Sequence, residues 1–221
     1  MHIQSATGSV TFPPMGVPPP LPQEEQARAD VYALIARLLL APPDVALLAS
    51  LGAAAQEGPA DQPFDAAWRQ LAAAARTTSA RAVREEFDAL FVSIGVPKLN
   101  PFGSLYLAGF LHEKPLAALR ADLARLGLAR MAGVAETEDH LGALCETMRL
   151  LIAGAPGGVR QPLAVQQRFF EDHLAPWQAR CLDDLRSAEG ADFYARVATL
   201  AGAFLSIEAE AFEVVAATQA G

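Results

Sequence analysis

The spacing of the apolar residues is the feature that most constrains the fold of this chain. From Gln23 onward apolar residues recur every three or four positions, as in QEEQARADVYALIARLLL, where Val31, Leu34, Ile35 and Leu38 fall on one stripe. Such spacing places apolar side chains on one face of an α-helix. No convincing run of alternating apolar and polar residues occurs, and no Asn-Gly hairpin turn is present. The sequence therefore predicts an all-α fold.

Composition divides the chain into a tail and one folded domain. Residues 1–22 end in TFPPMGVPPPLP, where six of twelve residues are proline, so this segment cannot form a helix or a central strand. We predict a flexible tail over residues 1–22, with a proline-rich ligand as the alternative interpretation. Residues 23–221 are predicted to form a single compact helical domain, because the chain is 52% hydrophobic and most connections between helical segments are short.

Capping residues predict where individual helices begin and end. The segment SARAVREEFDALFVSIG forms a helical pattern with Ser79 as its N-cap and Gly95 at its end. Pro176 suits the first turn of a later helix. The last helix is predicted over about residues 192–216, and its stripe is apolar except for Glu208.

The net charge of −8 excludes some kinds of partner. A nucleic-acid surface needs clustered Lys and Arg, whereas an acidic chain favours a basic partner. No secretory signal is recognisable at the start, and the longest apolar run, at residues 197–207, is shorter than the roughly 20 residues that span a bilayer. We therefore expect a soluble, cytoplasmic protein without stable membrane insertion.

The stretch AETEDHLGALCETM is the densest group of titratable side chains. Thr137 is a candidate N-cap, which puts Glu138 and Asp139 in the first turn of a helix, where negative charge is favoured. On a helical wheel Asp139 points away from the buried stripe, and His140 lies at its margin, where it would titrate near neutral pH. Glu136 and His140 are four residues apart, as metal ligands on a helix can be. Helix-start acids, a polar binding site and a metal or acid/base centre all remain open.

Known catalytic motifs do not support the last of these interpretations. The chain has no HExxH, GxSxG, GxxxxGK[ST] or GxGxxG pattern. Cys145 and Cys181 occupy apolar positions of helical patterns and do not form a CxxC pair, so both are predicted to be core thiols. We predict neither a metal nor a cofactor.

A second stretch, EEFDALFVSIGVPKLNPFGSLYLAGFLHEKP, joins two helical patterns through a loop. It places Phe87, Leu90 and Phe91 at the end of one helix and Phe102 and Tyr106 beyond the loop. Packing of these aromatic rings in the core is one explanation. The other is a groove for an inserted peptide, because a glycine beside aromatic residues allows close backbone approach.

Three blocks of the sequence, in order, resemble the TorD/DmsD family of redox-enzyme maturation chaperones, which is related more distantly to NarJ. FDALFVSIGVPKLNPFGSLYL resembles the family's aromatic-xx-Leu-Phe helix end and its Pro-aromatic-Gly-Ser-x-Tyr loop. ETEDHLGALCETMRLL resembles the Glu-Pro-x-Asp-His block, and QQRFFEDHLAPW resembles the helix that ends in His-Leu-x-x-Trp. Thr137 stands where the family usually has proline.

The resemblance implies an all-helical cytoplasmic binding protein rather than an enzyme. Members bind the twin-arginine signal peptide of a molybdopterin-containing oxidoreductase, hold the apoenzyme until its cofactor is inserted, and so proofread export. The expected partner is the precursor of such an enzyme, and the chain itself is a monomer or a helix-swapped dimer. Carried over by motif, the implied signal-peptide-binding residues are Phe91, Pro101, Phe102, Gly103, Ser104, Tyr106, Asp139, His140 and, more weakly, Glu136. The alternatives are a hydrolase that uses the Glu136, Asp139 and His140 cluster, or a general helical adaptor.

Overall fold

α-Helices make up most of the described structure. The computed structural model describes residues 20–54, 61–92, 97–111, 113–129, 136–155 and 158–219. Within these ranges the only β-structure is one isolated bridge between Phe102 and His140, so the all-α prediction is confirmed. The helices are α1 (Gln23–Leu40), α2 (Val45–Ala53), α3 (Pro63–Thr77), α4 (Ala80–Phe87) with a π-helical continuation (Asp88–Val92), α5 (Gly103–Ala108), α6 (Lys114–Arg125), α7 (Leu141–Ala153), α8 (Leu163–His173), α9 (Gln178–Ser187) and α10 (Phe193–Gln219).

The first helix packs most extensively against α7. The predicted stripe of α1 is confirmed at Ile35 and Leu38, which are buried, while Val31 and Leu34 are half-buried at its margin. The two helices approach closely at Gly142, where an added Cβ would come within 2.8 Å of an α1 side chain. Because so little space separates them there, a larger residue at this position would push α1 and α7 apart.

The last helix, α10, packs against α1, α3, α4 and α9. It begins at Phe193 and carries the predicted apolar stripe, of which Val197 and Phe212 are buried. Glu208, the polar residue in that stripe, is 2% exposed. Both of its carboxylate oxygens accept hydrogen bonds from Arg28, at 2.8 and 2.7 Å, and the Tyr32 hydroxyl donates to it at 3.1 Å. The buried carboxylate is therefore paired across the α1–α10 interface.

The N-cap of α4 is the predicted one. The Ser79 hydroxyl accepts a hydrogen bond at 3.2 Å from a backbone N–H in the first turn. The helix then widens into a π-helical turn over Asp88–Val92, which the sequence pattern did not predict. Within this turn Leu90 is buried and Phe91 is half-buried. The predicted helix end at Gly95 lies outside the described residues.

Two predicted helix starts are wrong. Thr137 is not the N-cap of α7, because residues 137–140 form a turn closed by a hydrogen bond from the His140 N–H to the Thr137 carbonyl, 3.1 Å long. His140 is the N-cap and the helix begins at Leu141. Likewise Pro176 lies in the turn before α9, which begins at Gln178, instead of in its first turn.

Both cysteines are buried free thiols, as predicted. Burial raises the pKa of both thiols, that of Cys181 to about 12, so neither is a ready nucleophile near neutral pH. Within the described ranges, no helix combines the length and the apolar character that crossing a membrane requires. Residues 1–19 of the predicted tail lie outside the described residues, and α1 begins directly after Pro22.

Candidate functional site

Two stretches that are far apart in the sequence meet at the starts of α5 and α7. The N–H of Gly103 donates to the carbonyl of Asp139 at 2.9 Å, and the N–H of Leu141 donates to the carbonyl of Pro101 at 2.8 Å. The isolated bridge lies between these two bonds. Residues 97–102 are thus held in register with the turn before α7, which brings the two groups of predicted site residues together.

Asp139 caps α5 from outside that helix. Its side chain is 3% exposed, and Oδ2 accepts a hydrogen bond from the N–H of Ser104 at 2.9 Å. Oδ1 accepts from the Thr137 hydroxyl at 2.5 Å. Because Ser104 lies in the first turn of α5, the carboxylate satisfies a backbone donor that the helix itself cannot. The expectation that Asp139 points away from the buried face is therefore wrong, since the turn before α7 directs it inward.

Replacing Asp139 by alanine is expected to lower the free energy of unfolding by about 2 kcal/mol, because the N–H of Ser104 would lose its buried acceptor. Asparagine at this position should recover part of the loss, since its amide oxygen can accept the same bond. Urea unfolding measures the difference. Asp183→Asn serves as the control, because the Asp183 side chain is well exposed and should change stability by under about 0.5 kcal/mol. An Asp139→Ala variant as stable as this control would contradict the capping role.

His140 caps α7 and is itself buried. Its Nδ1 accepts a hydrogen bond from the N–H of Gly142 at 3.0 Å, and its ring stands edge-on to Phe102 with the centroids 5.1 Å apart. Burial lowers the pKa of His140 from 6.5 to about 4, although the neighbouring Asp139 carboxylate opposes this shift. The imidazole is therefore neutral at pH 7, and the prediction that it titrates near neutral pH is wrong.

The buried neutral His140 is expected to make the fold less stable in mild acid. In the unfolded chain this histidine takes up a proton near pH 6.5, whereas the folded chain resists protonation down to about pH 4. Stability is thus fully present above pH 6.5 and is lost as the pH falls toward 4, by about 2 kcal/mol at about pH 5. His140→Asn, which keeps an acceptor for the cap, should flatten this profile in urea unfolding. A difference between wild type and variant that stays constant with pH would contradict the assignment.

Phe91 and Tyr106 pack on different helices. Phe91 stands edge-on to Tyr194 of α10, with ring centroids 5.3 Å apart. Tyr106 stacks on Trp177 at 5.4 Å, and its hydroxyl donates to Asp184 of α9 at 2.8 Å. Both side chains are half-buried, so each supports a helix contact and still presents part of its ring to solvent.

Glu136 precedes the turn before α7 and does not share a helix with His140. The alternative in which these two residues form an i,i+4 ligand pair on one helix is therefore not supported by the structure. Across the described part of the chain, no three His, Cys, Asp or Glu side chains lie together as a metal site would need. With His140 buried, neutral and used as a cap, the geometry gives no support to a hydrolase built on this cluster.

A cavity of about 280 Å³ beside α5 contains site residues that the sequence analysis did not single out. Its lining includes the carboxylates of Asp122, Asp139 and Asp172 together with His173 and Trp177. The block QQRFFEDHLAPW contains His173 and Trp177. The carboxylate that contacts His173 belongs to Asp122 on α6, which is 51 residues away in the sequence. We call this space the acidic cavity.

His173 ties α8 to α6 inside the acidic cavity. Its Nε2 lies 2.7 Å from Oδ2 of Asp122, and its own carbonyl accepts a hydrogen bond from Nε1 of Trp177 at 2.7 Å. Burial lowers the pKa of His173, even though the charge of Asp172 acts in the opposite direction. The 2.7 Å separation fits a hydrogen bond in which the ring Nε2–H of His173 donates to the carboxylate of Asp122. Asp122 also pairs with Arg125.

The loop, the turn and the acidic cavity all lie within a segment that matches a known family. Residues 57–183, more than half of the chain, match the nitrate reductase delta subunit family. This chain belongs to the nitrate reductase delta subunit family. The match confirms the resemblance to the NarJ-related TorD/DmsD chaperones that the three sequence blocks indicated.

Two individual proteins are similar to this chain, one in sequence and one in fold. The "Probable Tat proofreading chaperone DmsD" of Haemophilus influenzae is 27% identical over 120 residues, which are 53% of this chain and 56% of that protein. The chain thus matches little more than half the length of this curated relative. A crystal structure from Archaeoglobus fulgidus, assigned as a redox enzyme maturation protein, has a TM-score of 0.51 and 19% identity, covering 81% of this chain and 93% of that one. At that identity the likeness supports the fold alone.

Proposed function

We propose that this member of the nitrate reductase delta subunit family is a cytoplasmic chaperone for a molybdopterin-containing oxidoreductase. In this role it binds the twin-arginine signal peptide of the enzyme precursor and assists cofactor insertion and folding before export. The observation that carries the proposal is the family match over residues 57–183, which contains both the loop at 101–104 and the turn at 137–140. The Tat proofreading role named for the Haemophilus influenzae relative supports the same function.

The charge of the chain suits such a ligand. The net charge is −8, and a twin-arginine peptide carries two guanidinium groups followed by an apolar stretch. Arginine forms strong, often bidentate hydrogen bonds with carboxylates, and exposed apolar or aromatic side chains accept apolar peptide residues. An acidic helical protein with aromatic rings beside buried and exposed carboxylates complements both parts of the peptide.

The residues proposed for the peptide site divide into two groups by burial. One group is buried and is proposed to hold the loop and the helix starts in position: Pro101, Gly103, Ser104, Asp139 and His140. The other group is half-buried and is proposed to touch the peptide: Phe91, Phe102, Tyr106 and Glu136. Substitutions in the first group should therefore lower stability as well as binding, whereas those in the second should act mainly on binding.

Calorimetric titration tests the proposal directly. The purified full chain is titrated with twin-arginine signal peptides encoded in the same genome, and each peptide is paired with a version in which Lys-Lys replaces Arg-Arg. At least one peptide should bind with a dissociation constant on the order of micromolar or tighter, and about tenfold better than its Lys-Lys version. If every peptide binds no better than its Lys-Lys version, the proposal fails.

The chaperone role adds a second expectation about the partner. The chain should bind the cofactor-free precursor and should release the enzyme once the molybdopterin cofactor is in place. Pull-down of the same precursor with and without cofactor, and with and without its signal peptide, measures this preference. Equal recovery of all forms would contradict the role in maturation.

A further inference from the structure

Three large apolar side chains are exposed together at the C-terminal end of α5. Leu107, Phe110 and Leu111 are 43%, 71% and 43% exposed. Gly109 ends the helix with a φ of 81°, a left-handed conformation that turns the chain directly into Phe110. We call these three side chains the α5 ridge. Neighbouring exposed apolar side chains commonly mark a surface that binds a partner.

The α5 ridge borders the acidic cavity. Leu107 belongs to both, since it lines the cavity together with Asp122, Asp139 and Asp172. Asp139 is occupied in capping α5, and Asp122 is bonded to His173, whereas Asp172 is exposed on α8. Among the described residues that line this cavity there is no Lys or Arg, although Arg125 pairs with Asp122 from outside the lining. The exposed carboxylate of Asp172 therefore adds negative charge that a cationic ligand can use.

A second cavity, of about 270 Å³, extends the same surface between α6 and α8. It shares Asp122 and Asp172 with the acidic cavity, but its lining also includes Arg125 and Arg168. Because these two arginines would repel a cationic side chain, a cation is favoured on the side of the shared carboxylates that faces α5. Leu107 lines the acidic cavity and the two arginines line the other cavity, so a cationic side chain is expected nearer to the α5 ridge.

We propose that the α5 ridge and the acidic cavity form a two-part receptor for the twin-arginine signal peptide. One guanidinium enters the mouth of the acidic cavity beside Asp172, and the apolar residues that follow in the peptide lie across the ridge. This inference rests on the proposed function and deepens it by naming contact residues outside the motif-derived set: Leu107, Phe110, Leu111 and Asp172.

The two parts of the proposed receptor adjoin at Leu107, so one peptide can reach both. Leu107 lies at the boundary between cavity and ridge, and Phe110 lies farther along the chain from it. An extended peptide advances about 3.3 Å per residue, so a few residues suffice to pass from the cavity mouth onto the ridge. A peptide with arginine before its apolar stretch can therefore occupy both parts at once.

Two variants test the receptor by titration with a peptide that binds the wild-type chain. Asp172→Asn removes the exposed carboxylate and Phe110→Ser removes the most exposed ring; each is expected to weaken binding about tenfold. Glu171→Gln is the control for charge, since this exposed residue adjoins Asp172. Val45→Ser is the control for apolar surface, because Val45 is 73% exposed on α2. Both controls should bind within about twofold of wild type.

Altered peptides assign each effect to one part of the receptor. With a peptide whose two arginines are replaced by glutamine, Asp172→Asn should no longer weaken binding, while Phe110→Ser still should. With a peptide whose apolar stretch is replaced by serine, the pattern should reverse. Such non-additivity is expected only for groups that contact each other.

The outcomes separate this inference from the proposed function. If the wild-type chain binds the peptide but both variants stay within about twofold of it, the two-part receptor is overturned and the chaperone proposal stands. Weakening at only one of the two positions, or equal weakening by the controls, also overturns it. If the wild-type chain binds no twin-arginine peptide, the proposed function falls and the receptor falls with it. Leu111→Ser replaces Phe110→Ser if the latter lowers the melting temperature.

Discussion

Replacing Trp177 by alanine is expected to lower the free energy of unfolding by about 4 kcal/mol. The indole is fully buried, Nε1 donates to the carbonyl of His173 at 2.7 Å, and Tyr106 stacks on the ring. Alanine would leave a large cavity and would remove the donor from that carbonyl. An added Cβ on Gly103 would lie 3.1 Å from the same Nε1, so α5 rests directly on this ring and should shift when the ring is removed.

Urea unfolding followed by far-ultraviolet circular dichroism measures this loss without relying on the tryptophan signal. Trp68→Ala is the matched control, because Trp68 is half-buried and donates a hydrogen bond to the carbonyl of Ala54 at 2.9 Å. It should cost about 2 kcal/mol, roughly half as much. Phenylalanine at position 177 should restore part of the lost stability. A Trp177→Ala loss no larger than that of Trp68→Ala would contradict the supporting role of the indole.

Replacing Glu208 by alanine is expected to lower the free energy of unfolding by about 3 kcal/mol. The carboxylate is buried between α10 and α1, and it accepts two hydrogen bonds from Arg28 and one from Tyr32. Without it, a largely buried guanidinium and a buried hydroxyl lose their acceptor. Arg28 also pairs with Glu25 at 2.8 Å, which holds the cost below that of a fully isolated buried charge.

A combined variant distinguishes the cost of breaking this pair from the net value of the pair. Arg28→Met with Glu208→Met removes both charges at similar volume, and should be more stable than Glu208→Ala alone. Glu210→Ala is the control, since this residue is exposed on the same helix and should change stability by under about 0.5 kcal/mol. If Glu208→Ala unfolds at the same urea concentration as this control, the pair does not stabilise the α1–α10 contact.

The fold class could be predicted from sequence because its signals are local. Apolar spacing within single helices was enough for the all-α class, and Ser79 was readable as a cap because its hydroxyl serves a donor in the next turn. The π-helical turn at Asp88–Val92 was not predictable, since one widened turn barely alters an apolar pattern. Glu208 stood out in its stripe, but its partner on α1 is 180 residues away.

The segments of the candidate site stood out in the sequence, but the contacts between them did not. The sequence pointed to the loop at 101–104 and to Asp139 and His140, but nothing local indicates that these segments bond to each other. Acids after Thr137 resemble an ordinary helix start, whereas the actual cap depends on backbone bonds to the distant loop. The sequence did not indicate a binding role for Phe110, because an exposed apolar side chain points to a binding surface only when its neighbours in space are known.

The pairing of α1 with α7 and α10 also bears on how the newly made chain folds. Arg28 and Glu208 are 180 residues apart, so at roughly 5–20 residues per second the ribosome adds the second of them roughly 10–40 s after the first. For about the first two thirds of that interval the apolar face of α1 has neither partner helix, and α10 is absent until its end. The proposed chaperone therefore leaves the ribosome with part of the apolar face of its first helix exposed. Its core can form completely only near the end of synthesis.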